Sequence, residues 1–340
     1  GQGHSMRSRM IAGTDVALSE VGFGVWTIAA GWWGEYTEQE SQELLLRALD
    51  QGVTFFDTAD TYGHGRGETI LGSTFPGTLR DRITIGAKFG YDWQSRNPAE
   101  AGHRESPHRF DIPFLQQALD ASLRRLRTDR IDVYQMHNPR MEHLLDDVVW
   151  TWVERMQREG KVRSAGVALG PAIGWEQEGQ YALQHLPIQS AQIIYNALEL
   201  DPGRALIRTA ELAGRSLLVR VPHSSGMLEG RYTDETVFPE GDHRRHRPQS
   251  WLRDGVRKVE QLRFLERENR CTIGQAALQF ALRPDPVVTV LPNIYNAAQL
   301  DEFATAPNQR PITNAQADII EQLHETNYGL PTISGGVNHA

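Results

Sequence analysis

With one cysteine, Cys271, in 340 residues, the chain can form no internal disulfide and no zinc site of the cysteine-rich kind. That economy fits a reducing cytosol, and the expected localisation is cytoplasmic. No apolar run approaches the roughly 18 residues that a membrane helix needs, which excludes a helical membrane protein. Positive charge is not in excess: Lys and Arg number 35 against 43 Asp and Glu, a net of −8. Without a global positive field, neither nucleic acid nor an anionic membrane is an expected partner. Small molecules are, with the chain as a monomer or small homo-oligomer. Also missing are a signal peptide and any composition break between domains. Residues 1–5 read as a cloning remnant and residues 6–340 as one domain.

What the chain does contain is an alternation. Short apolar runs predict strands at residues 21–26, 53–57, 83–88, 131–137, 162–167, 191–195, 217–221 and 287–291. Helix signatures fall between them. Thr37 and Glu40 form a capping box before a segment that closes at Gly52, and a short helix is expected from about Glu68. After Asp111, the residues Leu115, Ala118, Leu119, Ser122, Leu123 and Leu126 keep the 3.6 period. Val148, Val149, Trp152, Val153 and Met156 share one helical face that stops at Gly160. Further helices are expected at residues 205–213, 272–283 and 296–304.

Eight such units predict the α/β class and a single closed parallel (β/α)8 TIM barrel, because closure removes the unpaired edges of an open sheet. A turn at Gly13 predicts an N-terminal hairpin cap. Residues 222–249, rich in Gly, Pro, His and Arg, are too long for a plain connector and predict a lid loop after the seventh strand. Spacing at Ala317, Ile320 and Leu323 predicts a C-terminal helix.

In such a barrel, catalytic groups project from the carboxyl ends of the strands. The polar residues there are Asp57, with Tyr62 just beyond it, then Lys88 and His137. Each alone has an ordinary structural reading, as half of an ion pair, a packing ring or a hydrogen-bonded core histidine. Together they form a proton-transfer device. An ammonium about 4 Å from a phenol favours the phenolate by roughly 4 kcal/mol at an effective dielectric near 20, and desolvation opposes part of that gain. Asp57 would keep Lys88 charged and in place.

The segment Asp57-Thr-Ala-Asp-Thr-Tyr62-Gly63, with Lys88 and Tyr134-Gln-Met-His137-Asn138-Pro139, resembles the aldo-keto reductase superfamily, and the likeness runs over about residues 10–306. The resemblance implies a barrel without a separate dinucleotide-binding domain. It also implies an oxidoreductase that reversibly reduces aldehydes or ketones to alcohols with NAD(P)H, NADP(H) being favoured and NAD(H) admitted. Tyr62 is then the general acid, Lys88 its charged partner, Asp57 the anchor of that lysine and His137 the group that orients the carbonyl.

For the cofactor, the resemblance points to Gly24, Val25 and Trp26 beside the nicotinamide and to Gln192 at its carboxamide. Ala168 and Leu169 stand where the family has a Ser-Asn pair. Arg220, just before Pro222, replaces a frequent aromatic, and its guanidinium plane could stack in that ring's place. Ser225, Gly226, Leu228, Gly230 and Arg231 match the diphosphate segment. At the adenosine end, Leu291, Asn293, Ile294, Tyr295, Gln299 and Glu302 bring no cation for a 2′-phosphate. The run from Asp242 to Arg247 is a solvated charge cluster or a phosphate clamp, with Arg244, Arg245 or Arg247 expected to supply that cation. The pair His243 and His246 is too small a set for zinc, and no metal is expected. Trp26, Trp32, Trp33, Tyr91, Trp93 and Asn138 are the candidate walls of the substrate pocket, the rim aromatics having packing beneath the long loop as their alternative role. The glycines at 63, 65 and 67 have the wrong spacing and place for a dinucleotide fingerprint. Two other functions fit the barrel: a non-catalytic cofactor-sensing subunit, and a metal-dependent hydrolase, which would need more clustered ligands than Asp57 and His137.

Overall fold

The first two strands, β1 (Ser8–Met10) and β2 (Ala17–Ser19), pair as the antiparallel hairpin expected around Gly13. Eight parallel strands follow: β3 (Phe23–Gly24), β4 (Phe55–Asp57), β5 (Thr84–Phe89), β6 (Val133–His137), β7 (Ala165–Ala168), β8 (Ser190–Ile194), β9 (Ser216–Arg220) and β10 (Val287–Leu291). They lie side by side in chain order. A parallel bridge between Val21 and Val290, with the Gly22 N–H donating to the Val290 carbonyl at 2.9 Å, joins the last strand to the first and closes the predicted barrel. This computed structural model describes residues 6–29, 36–95 and 105–332.

Strand alternation decides what each side chain meets. In β6, Val133 joins an interior cluster with Phe55, Leu218 and the hairpin residues Ile11, Val16 and Leu18. The hairpin therefore plugs the amino-terminal end of the barrel. Tyr134 and Met136 point the other way, into the larger layer between strands and helices. There the Tyr134 ring stacks on Phe89 at 4.5 Å, and Phe89 meets Trp152 edge-on at 6.1 Å. Gln135 and His137 share the inward face with Val133 but sit nearer the carboxyl end, so the interior passes from apolar floor to polar mouth along one strand.

The predicted capping box appears as hydrogen bonds, and other helices start from caps of the same kind. Thr37 and Glu40 close a capping box on helix Glu38–Asp50, and Asp111 caps helix Ile112–Leu126 by accepting from the Phe114 N–H. Helices Ile273–Ala281 and Asn314–Glu325 also start from capping boxes, Thr272 with Gln275 and Thr313 with Gln316. Some expectations change. The first strand ends early because Trp26 opens a one-turn helix, Trp26–Ala29, and residues 131 and 162 meet only as an isolated bridge. Besides the short helices Met141–Leu144 and Phe264–Asn269, two longer helices were not foreseen, Glu176–His185 and Gln249–Glu260. The first buries only Gly179, Ala182 and Leu183, and the second hides Leu252, Gly255 and Val259 among charges, so neither shows a wide apolar stripe. Between β9 and Gln249 the chain forms only two short 3-10 turns, Met227–Glu229 and His243–His246, as expected of the long loop. Among the described residues, no helix is long and apolar enough to cross a membrane.

At the floor, the buried carboxylate of Asp132 accepts from Arg80 Nη2 at 2.9 Å, from the Ile85 N–H at 2.7 Å and from Arg163 Nη1 at 3.0 Å. Arg80 is itself 5% exposed, so removing its partner strands a charge away from water. Asp132→Ala should lower unfolding free energy by about 3–5 kcal/mol. The control is Asp81→Ala, which breaks an exposed 2.8 Å pair with Arg130 and should cost about 1 kcal/mol or less. Urea titration of both variants checks this, and equal losses would show that the floor network does not hold the barrel.

Candidate active site

The register of the sheet puts three of the four expected side chains on neighbouring strands. Asp57 lies opposite Gly86 on β5, and Lys88 opposite Gln135 on β6. Glycine at 86 is required by a close approach: a Cβ there would lie 2.6 Å from Asp57 Oδ1 and 2.9 Å from the Phe55 ring. The chain then turns after β4 and returns Tyr62 over the barrel end.

The result is a continuous relay. Lys88 Nζ donates to Asp57 Oδ2 at 2.7 Å and to the Thr58 carbonyl at 2.9 Å, and lies 3.2 Å from Tyr62 Oη. Lys88 is 2% exposed. Burial disfavours its charge, but the Asp57 carboxylate and the Tyr62 oxygen outweigh that and raise it above the ordinary lysine range. The other Asp57 oxygen accepts from Gln135 Nε2 at 3.0 Å, and Gln135 Oε1 accepts from Gln192 Nε2 at 2.9 Å. Gln135 belongs to the site without having been expected there, although it stands two residues before His137 and so shares its face.

His137 meets the Tyr62 ring edge-on at 6.2 Å and the Tyr91 ring at 5.0 Å. Its Nδ1 is buried and makes no hydrogen bond. Burial, then the charges of Lys88 and Arg220, push the imidazole well below its usual range, so it is neutral at pH 7. Tyr91 is a second phenol at the mouth. Its hydroxyl donates to Glu105 and accepts from Asn138 Nδ2, and burial with the Glu105 contact raises it. Of the two phenols, Tyr62 is the one bonded to an ammonium.

Behind Tyr62 lies an acidic pair. Burial, with the Glu68 charge adding, pushes the Asp60 carboxyl up to about 8, and Arg125 holds Glu68 at 2.7 Å. Trp93, one of the expected pocket walls, belongs to this group instead. It contacts the His64 ring at 5.2 Å, and the Arg125 guanidinium lies 5.7 Å from its own. Its place is against helix Ile112–Leu126. Trp32 and Trp33 lie outside the described residues.

The residues expected around a cofactor collect on the other half of the rim, on β3, β8, β9 and β10. Trp26 Nε1 donates to Asn293 Oδ1 at 3.0 Å, and Thr27 Oγ1 to the Ile294 carbonyl at 2.8 Å, tying Gly24, Val25 and Trp26 to the end of β10. Gln192 spends its amide donor on Gln135, so a carboxamide there would meet only the remaining groups of that side chain. Leu228, Leu291 and Ile294 are buried in apolar clusters and offer a ligand only backbone. Gln299 donates to Glu229 at 2.9 Å, and Arg231 pairs with Glu302 at 3.3 Å.

After Pro222, Ser224, Ser225 and Gly226 adopt left-handed backbone in succession, with φ of 52°, 59° and 88°. Among the lid arginines, Arg247 Nη2 reaches Ser225 Oγ at 3.2 Å. Arg244 is clamped by Asp242 at 2.6 Å and also contacts the Ser225 carbonyl, and Arg245 donates to the Phe238 carbonyl. The Arg244 and Arg247 guanidiniums meet at the left-handed segment, and the Arg244 charge also acts on the Tyr295 hydroxyl.

The sequence model of the aldo/keto reductase family matches residues 20–325. The Schizosaccharomyces pombe protein "Aldo-keto reductase yakc [NADP(+)]" is 28% identical over 289 residues, covering 83% of this chain and 82% of its own. The Escherichia coli NADH-specific methylglyoxal reductase is 26% identical over 330 residues, 94% of this chain and 99% of its own. Among solved structures, the holo form of aldo-keto reductase AKR11C1 from Bacillus halodurans superposes with a TM-score of 0.74 at 25% identity, covering 94% of this chain and 96% of that one. With its closed barrel and a family match over most of its length, the chain belongs to the aldo/keto reductase family of NAD(P)-dependent oxidoreductases.

Proposed function

We infer that the protein reduces an aldehyde or ketone to an alcohol, and runs the reverse oxidation, with Tyr62 moving the proton. One observation carries this reading: Lys88 Nζ lies within hydrogen-bond reach of both Asp57 Oδ2 and Tyr62 Oη. The balanced reaction takes a carbonyl, NAD(P)H and a proton to an alcohol and NAD(P)+. A bound reduced nicotinamide supplies the hydride.

Tyr62 Oη donates its proton to the carbonyl oxygen as negative charge grows there, and the Lys88 ammonium stabilises the oxygen that remains on tyrosine. Asp57, fixed by Gln135, holds that ammonium in position. Neutral His137 can donate one hydrogen bond to the substrate oxygen and so aim the carbonyl. The curled segment Ser224–Ser225–Gly226 beside two guanidiniums suits a diphosphate, because such turns converge backbone dipoles on an anion. Asn293, Tyr295 and Gln299 would then lie along the adenosine, and Gly24, Trp26 and Arg220 nearer the ring. The intact relay speaks for an enzyme rather than a silent cofactor sensor. Among the described residues, no three His, Cys, Asp or Glu side chains gather as metal ligands would.

NADP(H) is the cofactor favoured by the family habit, and Arg247 would not itself enforce that choice. Arg247 approaches the diphosphate segment common to both cofactors, so Arg247→Ala should weaken NADPH and NADH alike, at least tenfold or about 1.4 kcal/mol. Fluorescence titration with each decides, and a loss confined to NADPH would place this arginine on the 2′-phosphate.

Tyr62→Phe should reduce turnover about 10²-fold or more with cofactor affinity little changed, since only the transferable proton is removed. Steady-state rates near the wild-type level would falsify the mechanism.

The raised Lys88 ammonium is fully charged below the ordinary lysine value of about 10.4 and is lost only as pH rises through its elevated value. The activity it supports should persist through neutral pH and fail on the alkaline side. Lys88→Met should lose most turnover and lack that lysine-dependent alkaline limb, with Asp57→Asn milder. Unchanged rate–pH curves in both would make the pair structural.

A further inference from the structure

Arg220 is the last residue of β9 and its guanidinium turns into the barrel mouth. Nη2 donates to the Leu169 carbonyl at 2.8 Å, while Nε is buried with no hydrogen-bond partner. Space for the group depends on Gly170: a Cβ there would stand 2.2 Å from Nη2 and 2.9 Å from Asn138 Oδ1. A backbone carbonyl is a neutral acceptor and leaves the guanidinium charge uncompensated.

The carboxylate that acts on it through space is Asp57, and that oxygen pair is already held by Lys88 and Gln135. Glu105, the acid beside Tyr91, is bonded to Arg140 at 2.8 Å. His137 is neutral. Among the described residues, with Lys88 counted against Asp57 and Arg140 against Glu105, the mouth carries one surplus positive charge, on a side chain that stays protonated at any working pH. The guanidinium is half-buried, with Nε shut off from water and the rest facing the mouth, so an arriving anion can meet it, and a planar guanidinium matches a carboxylate through two parallel hydrogen bonds.

We propose that Arg220 determines substrate choice by binding a carboxylate carried close to the reacting carbonyl, so that the preferred substrates are short oxo acids. This rests on the carbonyl-reduction reading for its substrate class. The acid group would lie against β9 and the β7 loop, and the carbonyl would point across the mouth to Tyr62 and His137.

The test compares each acid with its own neutral amide: pyruvate with pyruvamide, and 4-oxobutanoate with 4-oxobutanamide. In the wild type, kcat/KM should favour the acid at least tenfold, with the difference in KM. Arg220→Gln should bring the acid-to-amide ratio near one, and Arg220→Lys should keep part of it. A ratio near one in the wild type, or a ratio that survives Arg220→Gln, overturns the proposal. So does an equal loss for acid and amide together with weakened cofactor affinity, which would assign the guanidinium to the nicotinamide. If none of the four compounds is reduced, calorimetry with oxamate against oxamide in the presence of NADP+ separates the two ideas. Oxamate binding at least tenfold tighter than oxamide, lost in Arg220→Gln, would uphold the anion site while the proton-relay reading fails, and equal binding would overturn the site as well.

Discussion

A lysine ammonium placed almost out of reach of water governs the upper half of this barrel. Lys88 is 2% exposed, and a charge so buried persists only with a partner at close range. Asp57 is that partner, and its approach sets further demands. Position 86 must be glycine to leave space for the carboxylate, Gln135 must turn inward to occupy the second oxygen, and Gln192 must in turn satisfy Gln135. The polar core is thus a chain of obligations that begins with one charge and runs through β4, β5, β6 and β8. Tyr62 meets the open end of that chain.

The rim divides by task. Strands β4 to β6 carry the relay and His137, while β3 and β8 to β10 carry the groups that would face a cofactor. The division follows from parallel order, because neighbours in sequence are neighbours around the barrel. Opposite the rim, Asp132 and the hairpin residues serve closure and stability, so changes at the two ends of one strand have different meanings.

Much of this was legible because the signals are local. An apolar run that stops at a polar residue marks a strand end, which located Asp57, Lys88 and His137. A side-chain cap three residues ahead of the residue it pairs with marked the helix at Thr37, whose hydroxyl accepts from the Glu40 N–H. What escaped depends on contacts across the fold. Gln135 gained its meaning from a carboxylate 78 positions away. Trp93 read as a rim aromatic but packs by Arg125 on a helix that only the folded chain brings near. The lid arginines looked interchangeable in sequence, and Asp242 distinguishes Arg244 from Arg247. Helix Glu176–His185 was missed for a different reason, since its buried face is made of Gly179, Ala182 and Leu183 and carries little hydrophobic contrast.

The seam where the barrel closes sets the order in which a growing chain can finish folding. Val290 bonds both to Gly22 and to the Glu20 carbonyl, and Thr289 Oγ1 reaches the Ser19 carbonyl across 270 positions. Contacts of such long sequence separation form late, because the intervening chain must first be ordered. During synthesis, β3 to β9 can pair as an open sheet with bare edges at both ends until β10 emerges from the ribosome. At two residues, β3 presents little backbone for a foreign strand to join, whereas β9 is five residues long. The nascent protein's exposure to aggregation is therefore concentrated on β9, the strand that carries Arg220, during the interval before its last neighbour arrives.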